Sequence, residues 1–224
     1  MKRRKIRSLS VSEIGMGCMG FSHGYGQVPD AGYAEEAIRE AFGYGCNFFD
    51  TAEGYGKELY YPGHNEEIVG RAVKGFRNEA VIATKLHIQP ETVEDCGSVY
   101  AAVRRHLERS LKNLQTDYVD LYYLHRINME VDYLEVAHAM GRLIQEGLVR
   151  EWGISAVDKA QLEAARRNAR RCRAEYLLYG GTHFRKRCHS FLREKRDCVR
   201  AVLACRQRTF IRKNYTGYGV RPGR

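Results

Sequence analysis

Short apolar runs alternate with amphipathic stretches over residues 1–165 of this 224-residue chain. The apolar runs are rich in β-branched, aromatic or aliphatic residues and are bounded by Gly, Asp or Asn, which is typical of buried strands. Strands are predicted over residues 13–18, 47–50, 80–85, 118–125 and 149–155. Regular alternation of apolar strands with helices predicts a parallel sheet covered by helices.

The stretches between these runs show helical periodicity. Val103, Leu107 and Leu111 recur at every fourth position, and Ser98 can cap the N-terminus of the helix that they predict over residues 98–113. Further helices are predicted over residues 35–42, 66–74 and 133–146. No G-x-G-x-x-G sequence opens a helix directly after a strand, which argues against a doubly wound dinucleotide-binding sheet.

Candidate polar residues cluster instead at the C-terminal ends of the predicted strands, where barrel enzymes carry their chemistry. The pattern therefore predicts an α/β fold of the (β/α)8 TIM-barrel type, here incomplete, with about five to six β/α units. After about residue 167 the regular pattern stops, and only residues 174–179 still have the character of a strand.

Charge divides the chain at the same place. The formal net charge is +10, but residues 166–224 hold 18 Lys and Arg against 3 Asp and Glu, whereas residues 1–165 hold 19 against 24. We therefore predict two parts: a partial barrel over residues 1–165 and an irregular basic tail over residues 166–224.

Several classes of protein are disfavoured by composition. No apolar run approaches the roughly 20 residues of a membrane span, and no long apolar stretch follows the basic start as it would in a secretory signal. The seven cysteines are odd in number and lack paired metal-ligand spacing. Reduced thiols, a cytoplasmic location and no metal site are expected.

Four polar residues end the predicted strands or closely follow them: Asp50, Tyr55, Lys85 and His125. Taken singly, they have ordinary explanations as a turn carboxylate, a loop aromatic, a solvated strand end and a buried histidine. Taken together, they are the residue types that the reduction of a carbonyl group requires.

The chemistry of that reduction assigns each residue a role. A free tyrosine has a pKa of about 10 and is a poor acid at neutral pH, but an adjacent ammonium stabilises the phenolate. Lys85 would supply the ammonium, and Asp50 would keep it charged and oriented. His125 would donate a hydrogen bond to the substrate oxygen as negative charge develops there, and Tyr55 would deliver the proton. Because no side chain supplies a hydride, a nicotinamide cofactor is required.

The segments that carry these residues have a recognisable sequence. Residues 1–165 resemble the aldo-keto reductase superfamily in GMGCMG, FDTAEGYG, ATK, DLYYLHR and GLVREWGIS, at residues 15–20, 49–56, 83–85, 120–126 and 147–155. The resemblance implies a (β/α)8 barrel whose base is closed by a small hairpin at about residues 5–11. It also implies an NADPH-dependent reductase of aldehydes or ketones with Asp50, Tyr55, Lys85 and His125 as its catalytic tetrad.

The resemblance further implies the cofactor contacts. Ser155 would bind the nicotinamide carboxamide, Cys18 and Met19 would approach NADPH from the loop after the first strand, and Asp50 would lie beside it. The family usually has Asn or a similar polar residue after that serine, where this chain has Ala156. Some family members are regulatory subunits that bind the cofactor and sense redox state, so a non-enzymatic role is the alternative.

The basic tail departs from the family, whose members run roughly 100 residues longer, which is consistent with a full barrel of about 250 residues or more. One permitted set of codons for residues 196–206, read one nucleotide later, encodes Gly-Ile-Ala-Phe-Val-Pro-Phe-Ser-Pro-Ala-Gly, which resembles the family's seventh strand and loop. We therefore expect a truncated chain whose tail is an out-of-frame translation. Coding DNA incompatible with that shifted peptide would contradict the hypothesis.

A basic tail could instead be an arm that binds nucleic acid or an anionic membrane. Aromatic residues lie among its basic residues, as in proteins that bind single strands. However, no recognised nucleic-acid module is present, so neither nucleic acid nor membrane is the expected partner. A salt-sensitive affinity for DNA that is lost on truncation at Ala165 would support this alternative.

Overall fold

A parallel sheet covered by helices forms the body of the protein, as a computed structural model shows. The structure describes residues 1–23, 27–157 and 160–161, together with the backbone of residues 176–179 and 199–200. An antiparallel hairpin comprises β1 (Arg3–Ile6) and β2 (Leu9–Ser12). The parallel sheet follows in sequence order: β3 (Met16–Gly17), β4 (Phe48–Asp50), β5 (Val81–Leu86), β6 (Val119–Leu124), β7 (Val149–Ser155), β8 (Tyr176–Tyr179) and β9 (Val199–Arg200).

Five α-helices lie between these strands in the described part of the chain. They are α1 (Ala31–Gly43), α2 (His64–Val73), α3 (Pro90–Cys96), α4 (Val99–Leu114) and α5 (Tyr133–Gln145), and a short 3-10 helix spans Met19–Phe21. Repetition of strand and helix from β3 to β7 confirms the predicted α/β architecture. Ser98 caps α4 as predicted, because its hydroxyl oxygen accepts a hydrogen bond from the backbone N–H of Ala101.

Three elements depart from the prediction made from the hydrophobic pattern: β3, α3 and, within the predicted irregular tail, β9. The first parallel strand, predicted over residues 13–18, comprises only two residues in β3. The chain bends at residues 13–14 instead, where the Ser12 hydroxyl donates to the carbonyl oxygen of Ile14 at 2.7 Å. Helix α3 was not predicted, because none of its residues is buried and it therefore carries no apolar stripe.

The strands have apolar side chains on both faces, which form two cores. One core lies between the sheet and the helices and includes Ile82, Leu107 and Trp152. The other lies on the opposite face, where Phe48, Ala83, Leu121 and Tyr123 pack with apolar residues of the hairpin. Hairpin residues contact the first residues of β4 and β5, so the hairpin covers the N-terminal ends of the strands, as the family resemblance implied.

A buried ionic cluster ties β5 to β6 near the same ends. Arg77 donates to the carboxylate of Asp120 at 2.9 Å and to the carbonyl oxygens of Ala80 and Tyr118. The same carboxylate accepts the backbone N–H of Ile82. These contacts hold β5, which carries Lys85, against β6, which precedes His125. They therefore fix the relative positions of the two residues from the N-terminal ends of the strands.

Helices α2 and α4 pack closely at Gly70, and replacing this glycine tests that packing. A Cβ at residue 70 would lie 2.6 Å from the carbonyl oxygen of Leu114, a separation that real Cβ atoms essentially never show. We expect Gly70→Ala to lower the free energy of unfolding by about 1–3 kcal/mol, because the helices must separate. Chemical denaturation measures this loss.

Gly43 of α1 provides the matched control. Nothing lies within 4 Å of a Cβ added there, so Gly43→Ala should be neutral or stabilise the protein by up to about 1 kcal/mol. Equal effects of the two substitutions would contradict the close approach of α2 and α4.

Most of the predicted tail lies outside the described residues. The strand expected over residues 174–179 is present as β8, which pairs in parallel with β7. The division into parts at residue 165 and the proposed change of reading frame remain predictions. Among the described residues, no helix is long and apolar enough to cross a membrane, and no cluster of His, Cys, Asp and Glu could hold a metal ion.

Candidate active site

The structure brings the four predicted catalytic side chains together at the C-terminal ends of adjacent strands. Asp50 ends β4, Lys85 lies one residue before the end of β5, and His125 directly follows β6. Parallel pairing of β4 with β5 and of β5 with β6 places these ends on one side of the sheet. Tyr55 lies in the loop between β4 and α2, with its backbone N–H donating to the carbonyl oxygen of Ala52.

Lys85 is the centre of this group. Its ammonium nitrogen Nζ lies 2.5 Å from Asp50 Oδ1, 2.6 Å from the carbonyl oxygen of Thr51 and 3.2 Å from the hydroxyl oxygen of Tyr55. The side chain is fully buried, and Asp50 is 2% exposed. An ammonium has three N–H donors, and these three oxygens supply three acceptors, so the charged form of Lys85 is fully satisfied.

Tyr55 and His125 form the more open side of the group. Their ring centroids are 5.8 Å apart at an interplanar angle of 83°, an edge-to-face contact. Both residues are half-buried, in contrast to Lys85 and Asp50. A small polar molecule that reaches the group therefore meets the hydroxyl and the imidazole before it meets the ion pair.

The imidazole of His125 is held in its neutral form. Burial, together with the nearby positive charges of Lys85, Arg126 and His87, lowers the pKa of His125 to about 3. A neutral imidazole carries one N–H donor, so it can donate a hydrogen bond to an oxygen at neutral pH without itself being charged.

The lowered pKa of His125 predicts how stability depends on pH. In the unfolded chain the pKa is 6.5, so between pH 6.5 and about 3 the unfolded state binds the extra proton. The stability that the protein has while His125 is neutral in both states is therefore fully present above pH 6.5, and it is lost as the pH falls toward 3. We expect the free energy of unfolding of the wild type to fall more steeply over this range than that of His125→Asn, as denaturation at several pH values would measure.

An exposed histidine serves as the control for this measurement. His138 lies on the exposed face of α5, so His138→Asn should keep the wild-type slope. If His125→Asn also kept that slope, the inference that His125 is neutral in the folded protein would be wrong.

The residues expected to contact the cofactor differ in their burial and in where their side chains lie. Ser155 ends β7 and is buried, and Met19 is half-buried at the start of the 3-10 helix. The thiol of Cys18 is fully buried in the core beneath the helices, and burial raises its pKa. Its backbone N–H donates to the carbonyl oxygen of Asp50, so Cys18 joins the end of β3 to the end of β4 through its backbone, while its side chain packs in the core.

Ala156, which follows Ser155, has an unusual backbone. Its φ is +54°, in the left-handed region that Gly and Asn adopt more readily than Ala. The asparagine that the family resemblance led us to expect would suit this conformation, and alanine adopts it at some cost in strain.

Other polar residues that support the group were not found from the sequence. Asn65, which is fully buried, accepts a hydrogen bond from the Thr51 hydroxyl and donates to the carbonyl oxygen of Cys18 and the hydroxyl of Ser22. It thereby ties the loops that follow β3 and β4 to α2. Glu53 and His106 form a second support. Asn65 and His106 are polar residues at buried positions, and only the packing of the helices reveals that burial.

Comparison with known proteins identifies the family of the chain. A model described as aldo/keto reductase family matches residues 13–176. The chain belongs to the aldo/keto reductase family. It is 34% identical over 162 residues to the uncharacterized oxidoreductase YqkF of Bacillus subtilis, a match that covers 70% of this chain and 49% of that protein. It is 36% identical over 158 residues to the aldo-keto reductase yakc [NADP(+)] of Schizosaccharomyces pombe, covering 68% of this chain and 44% of that one.

Solved structures of the family share the fold. The aldo-keto reductase AKR11C1 of Bacillus halodurans, in its holo form, superposes with a TM-score of 0.73 at 27% identity, covering 90% of this chain and 65% of that one. An aldo-keto reductase of Klebsiella pneumoniae in complex with NADPH superposes with a TM-score of 0.74 at 27% identity, covering 91% and 68%. The chain spans about half the length of the curated relatives it matches.

Proposed function

We propose that this member of the family carries the catalytic group of an NADPH-dependent reductase that converts an aldehyde or ketone to an alcohol. The observation that carries the proposal is the position of Lys85 Nζ, which contacts the Asp50 carboxylate and the Tyr55 hydroxyl at once. This arrangement joins a proton donor to a buried cation and that cation to a buried anion.

Lys85 and Asp50 act on Tyr55 in this proposal. Negative charge that develops on the Tyr55 oxygen as it releases its proton lies 3.2 Å from the ammonium of Lys85. Because Lys85 is fully buried, water screens that attraction weakly. Asp50 pairs with the lysine and fixes its position beside Tyr55, so the Tyr55 hydroxyl serves as the general acid.

His125 orients the carbonyl group in this proposal. The edge-to-face contact leaves the imidazole beside the Tyr55 ring, so one carbonyl oxygen can accept from both Tyr55 and His125. A neutral imidazole donor stabilises the negative charge on that oxygen without competing for the proton of Tyr55.

Polar groups around Asp50 fit a nicotinamide cofactor. Asp50 Oδ2 is buried and accepts no hydrogen bond from any group in the described part of the chain, so it can accept one from a ligand hydroxyl. Ser155 ends β7, which pairs in parallel with β6, the strand that precedes His125, so Ser155 lies at the same C-terminal edge of the sheet. Bound NADPH supplies the hydride. Ser155, Met19, Asp50 and the backbone at Cys18 are the proposed contacts.

Measurements on the full 224-residue chain test the proposal. NADPH binding is followed by fluorescence, and turnover is followed by the loss of NADPH absorbance with nitrobenzaldehyde as a generic carbonyl substrate. Saturable binding with oxidation of NADPH supports a reductase. Binding without turnover by any of a panel of aldehydes and ketones favours the non-enzymatic, cofactor-sensing role, and absence of binding contradicts both.

A further inference from the structure

Glu53 lies at the centre of a second polar cluster that the proposed mechanism does not use. One oxygen of its carboxylate, Oε1, accepts the backbone N–H of His87 at 2.7 Å. The other, Oε2, lies 2.8 Å from Nδ1 of His106. Glu53 therefore links the loop after β4 both to the end of β5 and to helix α4.

The backbone of Glu53 makes two more links. Its N–H donates to the carbonyl oxygen of Lys85 at 3.2 Å, and its carbonyl oxygen accepts from the N–H of Gly63 at 2.8 Å. Four hydrogen bonds thus hold one residue against β5, α4 and the start of α2. Only Gly54, which has no side chain to restrain it, separates this residue from Tyr55.

We infer that Glu53, held by His106, is a positioning residue that keeps the Tyr55 hydroxyl at the ammonium of Lys85. The inference rests on the proposed function. Glu53 fixes both partners of the 3.2 Å contact, because it binds the backbone of Lys85 and begins the turn that carries Tyr55. A loop freed at Glu53 would let Tyr55 leave Lys85 while the Lys85–Asp50 pair stays intact.

The surroundings of His106 show why a carboxylate is required. The imidazole is buried, and its Nε2 has no hydrogen-bond partner among the described residues. A proton on Nδ1 therefore faces Glu53, and Nε2 keeps a lone pair. An amide in place of the carboxylate accepts from only one of the two donors. When the amide oxygen accepts from the His87 N–H, the amide NH2 faces Nδ1 and drives His106 to the other tautomer, whose buried Nε2–H is then unpaired.

Two pairs of variants test the inference in the full chain. Glu53→Gln removes one acceptor, and Glu108→Gln, at an exposed carboxylate on α4, is its control. His106→Leu removes the donor to Glu53. His106→Asn keeps an N–H donor close to the position of Nδ1 and should rescue the contact.

Amide hydrogen exchange reports on the loop whether or not the chain turns over a carbonyl. We expect Glu53→Gln and His106→Leu to raise the exchange of residues 53–56 by about tenfold or more with exchange in β5 and β6 unchanged, and His106→Asn and Glu108→Gln to match the wild type. Unchanged exchange in residues 53–56, or equal effects of the two His106 variants, would overturn the inference. Should Glu53→Gln fail to fold, the His106 pair alone decides.

Kinetics separates positioning from a purely structural role. In a chain that oxidises NADPH, kcat should fall about ten- to a hundredfold in Glu53→Gln and His106→Leu, with KM and the Kd for NADPH unchanged. An unchanged kcat alongside faster exchange means that Glu53 supports the loop without positioning Tyr55, and overturns the inference. A wild-type chain without turnover contradicts the proposed function instead, and the exchange data then decide whether Glu53 holds the loop.

Discussion

Replacing Tyr55 with Phe is expected to lower kcat about a hundred- to ten-thousandfold and to leave the Kd for NADPH unchanged. A positioned general acid contributes a factor of this size to proton transfer. The Phe side chain keeps the aromatic ring that contacts His125 edge-to-face and lies 4.9 Å from Lys85 Nζ, so packing is retained. The lost group is the hydroxyl, which supplies the proton to the carbonyl oxygen. Steady-state kinetics and cofactor titration measure the two quantities.

A second tyrosine in the same loop provides the control. Tyr60 is exposed and stacks on His64 at a centroid distance of 4.0 Å, a contact that needs no hydroxyl. Tyr60→Phe should therefore retain wild-type kcat. If Tyr55→Phe also retained more than about a tenth of the wild-type kcat, Tyr55 could not be the acid that the proposal requires.

Replacing Lys85 with Met is expected to reduce both activity and stability. Asp50 loses the cation that pairs with Oδ1, and its other oxygen already lacks a partner among the described residues. An uncompensated buried charge costs about 3–5 kcal/mol of the free energy of unfolding. Turnover should fall with it, because the Tyr55 hydroxyl loses the ammonium that stabilises its deprotonation. Urea denaturation and steady-state kinetics follow the two effects.

A double variant separates the two effects of this substitution. Asp50→Leu combined with Lys85→Met removes both charges, and an apolar pair of similar volume should recover most of the lost stability without restoring turnover. Lys57→Met, at an exposed lysine of the same loop, should change stability by less than about 0.5 kcal/mol. A double variant no more stable than Lys85→Met alone would show that the unpaired carboxylate is not the cause.

The sequence predicts the fold best where local pattern and packing agree. Strand β7 has the predicted bounds. The strand-like run of the sequence ends at the polar residue Ser155, and the strand in the sheet ends at the same residue. Helix α4 combines an apolar stripe with a capping serine. Helix α3 has no buried side chain, so the hydrophobic pattern from which helices were predicted is missing there.

Some residues of the candidate site could be predicted from the sequence and others could not. Asp50, Lys85 and His125 could be named because each stands at the end of a buried strand, where parallel strands bring their C-terminal ends together. Glu53 and His106 could not be paired, since 53 residues separate them and His106 resembles any polar residue of an amphipathic helix. The positive φ of Ala156 likewise depends on the turn after β7 rather than on the residue itself.

The sequential order of the parallel strands bears on how this protein is made. Lys85 meets Asp50 across 35 residues and Tyr55 across 30, so the chain segments that must close are short and their entropic cost is modest. A ribosome releases β4, β5 and β6 in the order in which they pair. The four candidate catalytic residues can therefore come together once residue 125 has emerged, before the basic tail is synthesised. Substitutions near the C-terminus should then affect the four residues mainly by changing the stability of the sheet, and should affect their arrangement less.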